Sequence, residues 1–88
     1  MADRPWHVYI VECADRSLYT GIAVDLQARI AAHNDGSGAR YTRGRRPVAL
    51  VYHEPAEDRS AALRREIEIK RLNRAAKRKL IRTGAAPE

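Results

Sequence analysis

Two charged side chains fall on the apolar faces of helical segments. Drawn at about 100° per residue, residues 58–72 place Ala62, Leu63, Ile67 and Ile69 on one arc. Glu66 lies in the middle of that arc and Glu68 on the opposite, arginine-flanked side. A carboxylate aimed into a core is costly unless it is paired or metal-bound. Glu66 is therefore either the ion-pair partner of Lys70, one turn on, or a metal ligand. An earlier segment repeats the pattern: Leu26 and Ile30 define its stripe, and Arg29 and His33 lie along the same side. Arg29 either packs its stem at the stripe's edge or faces an anion. His33 is either a hydrogen-bonded helix-end histidine or part of a site. Tyr9 and Tyr19 add two phenols. One carboxylate, one guanidinium and two hydroxyls converging on a groove are the parts for metal-assisted attack on a phosphodiester: a metal ligand, a cation for developing charge and a proton acceptor.

The elements that position these groups are legible in outline. Residues 7–13 are β-branched, aromatic and nearly all apolar, the pattern of a central strand covered on both faces. Asp15, Arg16 and Ser17 are turn material, and residues 18–22 read as the returning strand of a hairpin. A three-residue loop would put Tyr9 and Tyr19 on one face of that hairpin, and a two-residue loop on opposite faces. Asp25 can cap a helix to about His33, stopped by the cluster Asn34, Asp35, Gly36, Ser37, Gly38. A basic loop ended by Pro47 follows, then a third strand at 48–52. Asp58 or Ser60 caps a second helix to about Leu72, Asn73 interrupts it, and 74–82 form a short basic helix. The order is ββαβαα, an α+β chain. Residues 1–88 form one domain with its core at about 6–82.

The charge is unevenly placed. Of 17 basic and 11 acidic residues, residues 1–39 carry 3 against 5, a net of −2, and residues 40–88 carry 14 against 6, a net of +8. The excess forms two blocks. The first holds Arg40, Arg43, Arg45 and Arg46, and the second holds Arg71, Arg74, Lys77 and Arg78, with Lys70 just before it. Arginine suits phosphate because its planar fork donates two hydrogen bonds at once, so these residues are candidates for contact with nucleic acid. No apolar run approaches the roughly 20 residues of a membrane span, the first residues lack a signal peptide's apolar stretch, and the tail lacks the bulky apolar face of a membrane-surface helix. A single cysteine, Cys13, excludes an internal disulfide and a multi-cysteine zinc site. A cytoplasmic location is the default expectation.

The order of short motifs resembles the GIY-YIG nuclease superfamily, in particular its small stand-alone bacterial YhbQ-like group. The carriers are Val8-Tyr9-Ile10, then Tyr19-Thr20-Gly21, then Asp25-Leu26-Gln27-Ala28-Arg29 with His33. Gly38-Ala39-Arg40-Tyr41-Thr42, Arg46-Pro47 and the run from Ser60 to Lys70 follow. The match covers about 6–81. The resemblance implies a three-stranded antiparallel sheet flanked by helices, and an endonuclease of DNA repair or processing that uses one Mg²⁺ or Mn²⁺ ion. It implies Tyr9 and Tyr19 as the signature tyrosines with Tyr9 as general base, Gly21 as a glycine whose side chain would crowd the groove, Arg29 as the stabiliser of phosphate charge and Glu66 as the metal carboxylate. His33 and Tyr41 match positions that line such sites. The first signature departs from Gly-Ile-Tyr but keeps a tyrosine in the strand. DNA, branched or damaged forms included, is the expected partner, with RNA still open and no membrane partner expected. Two readings compete with the nuclease: a non-catalytic nucleic-acid-binding module using the same arginines, and an interaction domain in which Glu66 and Lys70 are merely structural.

Overall fold

The computed structural model describes residues 5–84. Strands β1 (Trp6–Glu12) and β2 (Leu18–Ala23) lead into helix α1 (Leu26–Asp35) and a single-turn helix α2 (Arg40–Arg43). Strand β3 (Ala49–Ala56) and helices α3 (Arg59–Lys70) and α4 (Arg74–Thr83) complete the chain. The sheet is antiparallel with order β2-β1-β3. The expected α+β order ββαβαα therefore holds, with α2 added inside the basic segment.

The unbroken apolar run explains the centre. Val8, Tyr9, Ile10 and Val11 are all buried because β1 has a neighbour on each edge and a core on each face. Val8 and Ile10 join Tyr52, Ala62 and Ile69 on one face, with Leu80 and Ile81 of α4 against them. Tyr9, Val11 and Cys13 join Ala23 and Val48 on the other, covered by Leu26 and Ile30 of α1. The hairpin closes with Cys13 N–H donating to the Ser17 carbonyl at 2.9 Å. The three loop residues 14–16 end on Arg16 in the left-handed region, φ 72°. A third loop residue at positive φ matches the common three-residue hairpin, and it resolves the register. Tyr9 lies opposite Gly21 and Val11 opposite Tyr19, so both tyrosines share a face.

Helix boundaries follow from their caps. Asp25 accepts from Ala28 N–H at 3.0 Å, Asp58 from Ala61 N–H at 2.8 Å and Asn73 from Ala76 N–H at 2.8 Å. Gly36, φ 91°, ends α1 in the left-handed conformation that a glycine adopts freely. Two expectations need correction. Ile67 is half exposed, at 51%, because the buried residues of α3 are only Ala62 and Ile69, with Glu66 partly buried between them, and Ile67 lies beyond Leu63 on the wheel. The third strand runs to Ala56 rather than stopping at Tyr52. β3 is an edge strand, where Pro55 needs no inward donor.

Candidate active site

Tyr9 and His33 form the centre of the site. Both are fully buried, and Tyr9 Oη lies 2.7 Å from His33 Nε2. The opposite residue on β2 is Gly21, and a Cβ there would stand 2.6 Å from Tyr9 Oη and 2.8 Å from its Cζ. The glycine is thus what lets the ring lie across the neighbouring strand. α1 supplies the histidine, and α2 orients it: His33 Nδ1 is 2.9 Å from Thr42 Oγ1, which also donates to the Ala39 carbonyl at 2.9 Å. A hydroxyl has one proton. With that proton on the Ala39 carbonyl, Thr42 can only accept from Nδ1–H. Nε2 is then a bare acceptor, and Tyr9 O–H donates to it. The Ala39 amide also points at Nδ1, but at 3.4 Å it is too long to reverse this choice.

The electrostatics suit an uncharged resting pair. Burial raises the Tyr9 pKa above its usual value. The Arg29 guanidinium pulls it down, and Tyr19 and Glu66 push it up again. Burial, then the Arg29 charge, lowers the pKa of His33. The Arg29 charge thus favours phenolate and disfavours imidazolium.

Around them runs an aromatic ladder. The ring of Tyr19 is 5.4 Å from that of His33 and 6.5 Å from that of Tyr9. It stacks on Tyr41 at 5.7 Å with planes 25° apart. Arg45 lies over the Tyr41 ring, its Cζ 4.0 Å from the centroid. On α3, Lys70 Nζ stands 5.9 Å from the Tyr19 ring and 3.2 Å from Glu66 Oε2. The expected set of Tyr9, Tyr19, Arg29, His33 and Tyr41 is brought together, and Glu66 reaches it through Lys70.

Glu66 contrasts with a second sheltered carboxylate that the sequence did not reveal. Glu54, its side chain 12% exposed, accepts from Arg65 Nε at 2.9 Å and Nη2 at 3.3 Å, and from Tyr52 Oη. Its lone pairs are committed. Glu66, 16% exposed, shares one oxygen with a half-exposed lysine. No group of three or more His, Cys, Asp or Glu side chains gathers among the described residues. The donor set near the tyrosines is thus one hard carboxylate oxygen, which fits a Mg²⁺ or Mn²⁺ ion that keeps several waters and takes phosphate oxygens. It does not fit zinc.

The basic residues divide. Arg45 is held by Asp15 Oδ2 at 3.1 Å and the Tyr41 carbonyl at 2.8 Å, and Arg46 by the carbonyls of Arg43 and Asn34. Arg74 donates to the Arg16 carbonyl at 2.8 Å, and Arg78 to Glu12 at 2.9 Å and to Arg16 at 3.1 Å, which docks α4 on the hairpin. Among the described residues, Arg40, Arg43, Arg71 and Lys77 make no side-chain hydrogen bond or ion pair, and the three arginines are exposed. From sequence, Asp15 reads as a turn residue, Asn34 as a helix stop and Thr42 as part of a motif, and none of the three as part of the site. Asn34 binds both backbone groups of Val48, at 2.7 and 3.1 Å, and so returns the chain to the sheet. The one signal was Thr42, a lone threonine in an Arg- and Gly-rich run. No described helix is long and apolar enough to cross a membrane.

Comparison with known proteins agrees with this geometry. Residues 5–79 match the model of the GIY-YIG catalytic domain. The UPF0213 protein of Desulfotalea psychrophila is 56% identical over 82 residues, 91% of this chain and 74% of that protein. The UPF0213 protein of Staphylococcus haemolyticus is 56% identical over 75 residues, 85% of this chain and 92% of that protein. The solution structure of the UPF0213 protein of Bacillus halodurans superposes with a TM-score of 0.60 at 42% identity, covering 94% of this chain and 88% of that one. A solution structure from E. faecalis gives 0.62 at 34%, covering 92% and 86%. The tyrosine opposite its glycine, in a domain matched over nearly its full length, places this chain in the GIY-YIG family, among small proteins of the UPF0213 type.

Proposed function

We propose that the protein is a divalent-metal-dependent endonuclease that hydrolyses phosphodiester bonds in DNA, in repair or another processing step. The observation that carries the reading is the oriented chain from Tyr9 O–H through His33 to Thr42 and the Ala39 carbonyl, with Arg29 beside it. A buried phenol needs a hydrogen-bond partner, but not one held by two further bonds with a bare acceptor nitrogen turned to it. A tyrosine that must give up its proton does need that one.

In this reading His33 Nε2 accepts the phenolic proton as Tyr9 Oη takes one from the attacking water. The water oxygen bonds to phosphorus as the ester P–O bond breaks, and the leaving oxygen takes the bonding pair and then a proton from solvent. Arg29 stabilises the charge that develops on the phosphoryl oxygens. Glu66 would hold one Mg²⁺ or Mn²⁺ ion, which supplies charge neutralisation at the phosphate when bound. Tyr19 and Tyr41 wall the site, and Gly21 keeps the ring of Tyr9 in place. Tyr9 has no exposed surface in the free protein, so substrate binding must admit the water. Exposed Arg40, Arg43 and Arg71, with half-buried Lys77, would meet the phosphate backbone.

The competing reading, a non-catalytic nucleic-acid-binding module, draws on one observation: the Glu66–Lys70 pair at 3.2 Å leaves the carboxylate already partnered. A panel of duplex, flap, branched and single-stranded DNA, incubated with protein and Mn²⁺, decides between them. Cleavage by the parent and none by Tyr9→Phe is the expected result. Binding across the panel with no cleavage by the parent would leave only the module.

A further inference from the structure

Arg45 lies in the basic loop but is disposed unlike a phosphate-binding arginine. Its Nε donates to Asp15 Oδ2 at 3.1 Å and its Nη1 to the Tyr41 carbonyl at 2.8 Å. One face of the guanidinium lies on the Tyr41 ring, Cζ 4.0 Å from the centroid. Its backbone is held too: the Arg45 carbonyl accepts from Ala14 N–H at 2.8 Å, and its own N–H reaches the Thr42 carbonyl at 3.1 Å. Two of its five N–H groups are spent within the fold, so a phosphate at its Nε edge would have to displace Asp15. Asp15, half exposed beside it, adds a negative charge that repels a nucleic-acid backbone. What remains is a flat face of delocalised cation, with 39% of the side chain exposed and its plane fixed in advance.

Such a face stacks on a nucleobase. It also caps a ladder. Tyr41 stacks on Tyr19, and Tyr19 packs against His33 and Tyr9. A base laid on Arg45 would extend the stack outward from the groove and hold the strand in register with it. Within a duplex, both faces of every internal base are already covered by neighbours. A base can settle on Arg45 only where the strand is unpaired or frayed.

Resting on the nuclease reading of the adjoining groove, we propose that the pinned Arg45–Tyr41–Tyr19 stack receives an unpaired nucleobase next to the scissile phosphate, so that the substrate is DNA with a single-stranded nucleotide at the cut. Asp15 is a positioning residue: it holds the platform flat and deters phosphate from that spot.

The test measures binding with Ca²⁺ in place of a catalytic ion, using a short single-stranded oligonucleotide that carries 2-aminopurine and a blunt duplex of the same sequence. The parent should prefer the single strand and quench the probe's fluorescence. Arg45→Lys keeps the charge and loses the plane. It should lower the preference for single strand over duplex about tenfold, within the range of one lost base stack, and abolish the quenching. Asp15→Asn should move the two substrates in opposite directions, raising duplex affinity by removing a repulsive charge while the single-strand preference falls. Circular dichroism confirms that both variants fold. A parent that binds duplex as tightly as single strand, or an Arg45→Lys variant that weakens both equally, overturns the stacking site. A parent that prefers and quenches the single strand yet never cuts in Mn²⁺ overturns the nuclease reading and leaves the base-stacking site standing as a binding site alone.

Discussion

Tyr9 Oη and His33 Nε2, 24 residues apart in the chain, meet at 2.7 Å in full burial, and Thr42 fixes which of the two donates. The contact joins the central strand to α1 with a hydrogen bond that has a direction. Tyr9→Phe removes the hydroxyl alone. Cleavage should fall by about a hundredfold or more, the usual weight of a proton-transfer group, while DNA affinity stays near that of the parent. The variant should also unfold about 1–3 kcal/mol more easily, because Nε2 is left buried and unpaired. Single-turnover kinetics and urea titration separate the two effects. Cleavage at the parental rate would remove Tyr9 from the chemistry.

His33 sets an acid limit. Burial and Arg29 hold its folded pKa below the ordinary value, about 6.5. On acidification the unfolded chain binds the proton first. The stability tied to neutral His33 is therefore complete above about 6.5 and is lost as pH falls from there through the lowered folded value. His33→Gln should flatten that limb of a plot of Tm against pH. An equally steep limb in the variant would assign the acid sensitivity to another group.

Gly21→Ala should be far worse than its chemistry suggests. Its Cβ would overlap Tyr9 Oη and Cζ, and an overpacked core position costs about 1–3 kcal/mol. The ring must also leave His33, so activity should be lost at temperatures where the variant is still folded. Gly44→Ala has open space around its Cβ and should stay within about 0.5 kcal/mol of the parent. Similar behaviour of the two variants in thermal unfolding and cleavage would contradict the close approach of Tyr9 to β2.

Glu66 and Glu68 stand two residues apart with different surroundings. Glu68 is 65% exposed and paired with Arg65 at 3.0 Å, and Glu66 is sheltered beside a half-exposed Lys70. Lys70 can turn to water when its partner is neutralised, so Glu66→Gln should lose less than about 1 kcal/mol of stability. The same change should abolish Mn²⁺-dependent cleavage, and Glu68→Gln should preserve it. Cleavage by Glu66→Gln in Mn²⁺ would refute the metal-ligand role.

Salt dependence sorts the arginines. Arg40 and Arg43 are exposed and unengaged, so replacing both by Ala should flatten the slope of log K against log salt on duplex DNA by roughly 2, at about 0.9 per phosphate contact. Arg74 and Arg78 hold α4 to the hairpin. Their double Ala variant should mainly lower Tm. Parental slopes in Arg40/Arg43→Ala would move the backbone contact elsewhere.

Residues with a strong local reason for their place were legible before folding was considered. The run Val8 to Val11 announced a buried central strand, Asp25 and Asp58 announced caps, and the helical wheel put Glu66 amid Ala62, Leu63 and Ile69 on an apolar arc. Ile67 misled because the wheel puts it at the outer edge of the apolar arc, beyond Leu63, where the side chain is already half exposed. The single turn α2 was hidden by its arginines, which read as loop. The site's inner wiring had no local signature. Thr42 meets His33, and Asp15 meets Arg45 across 30 residues, only because Asn34 and the hairpin turn bring the loop back over the sheet. Charge counting likewise could not tell Arg45 and Arg78, held within the fold, from Arg40 and Arg43, turned toward solvent.

β1 has a hydrogen-bonded neighbour on both sides, whereas Thr42 and Tyr41 belong to a four-residue helix on the surface. Proteins do not open all at once; short surface elements separate at a lower free energy than the central strands. The phenol of Tyr9 is therefore lodged in the part of the molecule that opens last, and the groups that aim its proton in a part that opens early. Heat inactivation of such a site is a local event, the detachment of one turn, that runs ahead of the loss of the sheet and reverses as soon as the turn closes.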